Sequence, residues 1–83
     1  MVIQDKVVSV LMEYLGLERE LISLNSKIKR DFGMDDNDFV QMLRLVESST
    51  DAKIDDNKID EIETVYDLIE YIEEVHLSLD ENL

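Results

Sequence analysis

The chain has 83 residues, a formal net charge of −13, no cysteine and one histidine. That length makes one domain near the size at which a single core is only modestly stable, and the missing cysteines exclude a disulfide framework and thiol chemistry. So acidic a chain repels nucleic acid and anionic membranes and meets basic protein surfaces faster. Residues 1–30 hold Asp5, Glu13, Glu18 and Glu20 against five bases, so the acidic surface is built by residues 31–83, where 17 acids face Arg44, Lys53 and Lys58. No stretch approaches the roughly 18 to 20 consecutive apolar residues of a membrane span. No basic, apolar and small-residue leader is present either, so a soluble cytoplasmic protein is expected.

In chain order, residues 2–15 place Ile3, Val7, Val10, Leu11, Tyr14 and Leu15 on one helical stripe, which Gly16 is suited to end as a C-cap. Residues 17–34 show no long period, yet Leu17, Leu21, Ile22, Leu24, Ile28 and Phe32 are too apolar for a solvated linker. They predict an ordered loop laid across a bundle, with a helical turn around Arg19 to Ile22. A second helix is predicted from Asp36 to Ser49, with Phe39, Leu43 and Val46 on one line and Val40, Met42 and Leu45 widening the stripe. Asp55-Asp56-Asn57 can cap a short helix over Lys58 to Ile62, with Ile54 and Ile59 inward. Thr64-Val65-Tyr66-Asp67 is a near capping box for a last helix carrying Val65, Leu68, Ile69, Ile72 and Val75. The domain is expected over 1–77, followed by an acidic frayed tail, 78–83. No strand alternation, proline or repeat is present. The residues predict an all-α bundle of three main helices and one short one, with a long first connection.

The corner Asp31-Phe32-Gly33-Met34-Asp35-Asp36-Asn37-Asp38 organises the chain. Gly33 can take a positive φ cheaply, Asp35 stands where an N-cap is wanted, and Asp36 and Asp38 follow where the helix dipole favours negative charge. Here the sequence resembles the acyl carrier proteins, whose signature Asp-Leu-Gly-x-Asp-Ser-Leu opens their second helix. The resemblance extends without a gap through Lys53-Ile54-Asp55-Asp56 and Thr64-Val65-Tyr66-Asp67-Leu68 to Tyr71-Ile72. It implies the same four-helix packing order. It also places Asp36 at the serine that takes the family's phosphopantetheine arm, Asn37 at the following leucine, and Thr50 where the family often has a core phenylalanine.

An arm needs an alcohol oxygen, and Asp36 offers a carboxylate, so no cofactor is expected. Ser23, Ser26, Ser48 and Ser49 are hydroxyls that stand away from the corner. Metal ligation is not expected: Asp51 to Asn57 begins like a calcium loop but has Lys53 third, Asp56 in place of the sixth-position glycine, and Ile62 twelfth. His76 is expected in solvent. No set of nucleophile, base and orienter can be assembled, so the chain is not expected to be an enzyme.

The resemblance further implies that the outer side of the second helix docks a basic patch on an acyl-transfer or biosynthetic enzyme. The partner-facing residues would be Asp35, Asp36, Asp38, Val40, Gln41, Arg44, Glu47, Ile54 and Asp56. Arg44 puts a cation in mid-face, which would penalise a partner arginine and favour a carboxylate. The expectation is therefore a monomeric, armless interaction module beside fatty-acid, polyketide or related enzymes. Two alternatives stand beside it. One is a working carrier, modified elsewhere or seen here as a variant; the other is a generic acidic adaptor.

Overall fold

The computed structural model describes residues 2–81, with side chains described as far as Leu77. Helix α1, Ile3–Leu15, buries Val7, Val8 and Leu11. It stops where Gly16 turns left-handed at φ 68° and gives its N–H to the Met12 carbonyl at 2.8 Å. A residue with a Cβ would take that conformation only at a cost. α1 then lies against the second long helix and, over a smaller area, against the last.

The first connection contains the expected turn, a 3-10 helix at Arg19–Leu21, but its second half is not loop. Ile28–Phe32 forms a helix of its own, α2. Five residues are too few for a readable period, and so short a helix is not stable alone. Its surroundings hold it. Asp31 accepts the Lys27 N–H at 2.7 Å, Ile28 is fully buried, and Gly33 ends the helix at φ 66°. Leu21 and Leu24, expected to pack inward with the rest of the connection, are exposed.

This connection is sewn to the start of the last helix by the backbone. Lys27 and Thr64 form an isolated antiparallel bridge. Ile28 donates to the Glu63 carbonyl at 2.9 Å, Val65 to Ser26 at 3.1 Å and Tyr66 to Leu24 at 2.9 Å.

Helix α3, Asp36–Thr50, buries Phe39, Met42, Leu43 and Val46. Leu45, expected in that stripe, is 48% exposed, at the edge of a surface groove shared with Ser9, Val10 and Glu13 of α1. Thr50 is buried, and its hydroxyl donates to the Val46 carbonyl at 2.7 Å, so the polar atom is satisfied where it lies. Asp51 follows at φ 58°, a left-handed conformation that Asp tolerates better than most residues. The expected short helix is a tighter 3-10 segment that starts earlier, Asp56–Glu61, with Asp55 accepting the Asn57 N–H at 2.9 Å.

Helix α4, Val65–Glu81, opens on a reciprocal cap. The Asp67 N–H donates to the Thr64 hydroxyl at 3.0 Å, while the Asp67 carboxylate accepts the N–H groups of Thr64 and Glu63 at 3.0 and 3.1 Å. Val65, Leu68, Ile69 and Ile72 close the core from this side. The backbone stays helical to Glu81, past the Leu77 at which fraying is expected from sequence. The expected tail 78–83 otherwise falls outside the described side chains. Three long helices, the five-residue α2, two 3-10 segments and no strand among the described residues make an all-α bundle, the class that the sequence predicts.

One cap fixes the direction of α3. Asp35 accepts the Asp38 N–H at 2.8 Å. Asp35→Ala should lower unfolding stability by about 1 kcal/mol, and Asp35→Asn by much less, since the amide oxygen still accepts. Urea midpoints at unchanged slope check both.

Candidate functional site

The tip of the molecule is built by three consecutive constraints. The left-handed turn at Gly33 reverses the chain, Met34 plugs into the core, and the Asp35 cap starts α3. Asp36 is thereby thrust outward, with a side chain 92% exposed. It is not alone. Lys29, on α2, reaches its Oδ1 at 2.8 Å while the same ammonium lies 5.0 Å from the centre of the Phe39 ring. The hydrogen bond from Lys29, helped by its charge, holds the Asp36 carboxyl below the usual aspartate range. Sequence spacing gave no hint of this pair, because Lys29 lies on the helix that has no readable period.

Along the outer side of α3 the charges are also matched within the chain. Tyr14 directs its hydroxyl toward Asp38 and Gln41 at 3.4 and 3.5 Å, contacts at the long limit. Desolvation first, then the Asp38 charge, raises the Tyr14 pKa. Arg44 donates to Asp56 at 2.8 Å and to Glu47 at 3.0 Å, and these two hydrogen bonds raise its pKa. Glu47 also accepts the Ile54 N–H through its other oxygen. Arg44 is thus no open cation that repels a partner arginine, as its position in the sequence suggests. It is the centre of a clamp between α3 and the segment that follows.

The expected partner-facing residues divide accordingly. Asp35, Asp36, Asp38, Gln41, Arg44, Glu47 and Asp56 share one side of the tip and α3, and Val40 is half-buried beside them. Ile54 is not on that face: it is 3% exposed, drawn into the core while its amide is held by Glu47.

A family profile described as "Phosphopantetheine attachment site" matches residues 5–72. An acyl carrier protein of Cyanidioschyzon merolae is 36% identical over 80 residues, covering 96% of this chain and 88% of that protein. The acyl carrier protein of Akkermansia muciniphila is 30% identical over 73 residues, 88% and 91% of the two chains, and that of Thermotoga maritima 35% over 69 residues, 83% and 85%. The chain belongs to the acyl carrier protein family. Acyl carrier proteins are carriers that work with acyl-transfer and biosynthetic enzymes and are not enzymes themselves; their prosthetic group is 4'-phosphopantetheine.

Within this acyl carrier fold, the C-terminal end of α3 and the segment after it are held from three helices. Besides the Arg44 clamp, the Lys6 ammonium of α1 donates to the Ser49 carbonyl at 3.1 Å. From α4, the Tyr71 hydroxyl accepts the Asp55 N–H at 2.9 Å. His76, expected in solvent, is half-buried with Nε2 at 2.7 Å from the Thr50 carbonyl. A carbonyl oxygen only accepts, so that ring nitrogen carries a proton and closes the C-terminal end of α3. The signal was available: Leu68, Ile72 and His76 follow one another at four-residue intervals on the buried side of α4.

No group of three or more histidines or acids among the described residues is arranged to hold a metal ion. In the stretch that begins like a calcium loop, Asp55 is spent on its cap and Asp56 on Arg44. No helix among the described residues is long and apolar enough to cross a membrane.

A depressed carboxyl stabilises the fold above the unfolded aspartate pKa of about 3.9 and loses that contribution as pH falls toward its folded value. In an NMR titration the Asp36 carboxyl should therefore have its midpoint below the usual range. Lys29→Ala should bring it back toward that range, and an unmoved midpoint would show that Lys29 does not hold the carboxylate in solution.

Proposed function

We propose that this chain is an acyl-carrier-like interaction module that bears no phosphopantetheine arm and serves as an accessory subunit beside fatty-acid, polyketide or related acyl-transfer enzymes. One observation carries the reading. The residue thrust out at the tip is an ionised, lysine-paired carboxylate, and Asp35, Asn37 and Asp38 around it have no hydroxyl either.

These residues do not fit the family's prosthetic group. A durable arm is a phosphodiester on an alcohol oxygen. A carboxylate would give a mixed anhydride, which water cleaves, and its charge opposes an incoming diphosphate. The hydroxyls of Ser48 and Ser49 lie at the far end of α3, about 18 Å along the helix at 1.5 Å per residue. Ser26 already accepts the Ser23 N–H at 3.2 Å in the first connection.

Recognition is what the scaffold retains. The net charge of −13 draws a basic enzyme surface from a distance, while the face formed by Asp35, Asp36, Asp38, Gln41, Arg44, Glu47 and Asp56 meets it at contact. Since Lys29 and Arg44 neutralise part of that face, a partner placing cations there must compete with them. This favours a partner whose own patch mixes signs. The chain acts as a monomer, without catalytic chemistry, nucleic acid or membrane.

Incubation with coenzyme A and a broad-specificity phosphopantetheinyl transferase, followed by intact mass measurement, tests the reading. The wild-type mass should stay unchanged and Asp36→Ser should gain one arm. An arm on the unaltered chain, at any residue, would overturn it.

A further inference from the structure

In a chain so rich in acids, three of the eight bases fall within four residues, Lys27, Lys29 and Arg30, with no acid among them. All three line a cavity of about 260 Å³ whose opposite wall is Ile59, Asp60, Ile62 and Glu63. That half-open space has room for a small anionic head and a short chain of carbons.

The two walls are far apart in sequence but rigidly joined. The bridge between Lys27 and Thr64 and the hydrogen bond from Ile28 to Glu63 fix their separation, so a ligand need not order the site as it binds. The cations differ in commitment. Lys27 pairs with Glu63 at 3.3 Å and Lys29 with Asp36 at 2.8 Å, both on half-exposed side chains. An ammonium has three donors and can keep such a carboxylate while accepting another anion. Arg30 is exposed and has no ion pair among the described residues, leaving a planar fork of donors at the rim. Asp60 and Glu63 put two carboxylates on the opposite wall, the second already paired with Lys27, so an anion is favoured on the Arg30 side of the cavity.

We infer that this cavity is a noncovalent binding site for a phosphate ester carrying a short aliphatic segment, the phosphate held by Arg30 and Lys27 and the carbons laid on Ile59 and Ile62. A phosphate, with more acceptor oxygens than a carboxylate, suits the planar fork of Arg30 beside the Lys27 ammonium, and the isoleucine wall separates this site from a bare salt-binding patch. The inference does not depend on whether the tip carries an arm.

Amide chemical shifts of the full chain, titrated at constant ionic strength, test it with four probes: hexyl phosphate, inorganic phosphate, hexanoate and hexylammonium. Hexyl phosphate should give saturable shifts confined to residues 27–30 and 59–63 and bind more tightly than the other three. Arg30→Gln, an exposed change, should weaken it about tenfold, the scale of one charge-assisted hydrogen bond, while Arg19→Gln, whose guanidinium pairs with Asp5, leaves it unaltered. The inference fails if hexyl phosphate shifts do not saturate or map elsewhere, if inorganic phosphate binds as well, which would deny the apolar wall, or if hexanoate or hexylammonium does, which would deny the phosphate. Equal binding by wild type and Arg30→Gln overturns the assignment of the head group.

Discussion

The corner between Gly33 and Asp38 depends on one hydrogen bond that the backbone cannot make for itself. The first turn of any helix leaves amide groups without partners, and at α3 the Asp35 carboxylate meets the one from Asp38. Its acceptance is directional, so it fixes where the helix begins and how the chain enters it. With Met34 buried one residue earlier, the rotation of α3 is set, and Phe39, Met42, Leu43 and Val46 turn inward together. Asp36 stands exposed beside the residue that is occupied as the cap. A free capping residue and a free tip residue would be interchangeable; a bound cap makes them distinct.

From that corner the surface chemistry takes an unexpected form. Most of the acids on the α3 side are answered from within, by Lys29, Arg44 or backbone amides. Pairs this exposed add little stability, since water and salt compete for both partners. In the function proposed for this chain, their effect is on recognition. Long-range attraction follows the total charge of the molecule, whereas close contact follows the local arrangement, and here the two differ in sign pattern. A partner of the proposed kind would be drawn in by one property and selected by the other.

The long helices were legible because their apolar residues repeat with the right period over three or more turns, and their caps use residues with few other reasons to stand there. Asp35, Thr64 with Asp67, and Gly16 all act as the sequence suggests. The short helix α2 was not legible, since Ile28 and Phe32 give a single i, i+4 pair and its stability comes from Glu63, 35 residues away. Leu45 misleads for a related reason: a wide stripe shows which residues are apolar, not how far the neighbouring helices extend over them. At the tip, residue types could be read directly and pairings could not. Asp36 was identifiable as a carboxylate without its lysine, Arg44 as a cation without its two acids, and His76 without the carbonyl it meets. Each of those partners lies on another element, so only the packing brings them together.

The backbone bridge between Lys27 and Thr64 has a topological consequence. It closes a ring of chain around α2, α3 and the 3-10 segment, so the ends of that ring are fixed whatever happens in its interior. Ring-closure entropy grows only with the logarithm of length, about 0.6 kcal/mol for a doubling, so a few inserted residues would add on the order of a tenth or two. Evolution is therefore free to lengthen or shorten the stretch after α3 with little entropic penalty, and what restrains it is the set of side-chain contacts from Lys6, Arg44, Tyr71 and His76. Variation in length there would register first as slackness at the far end of α3, long before the bundle itself came apart.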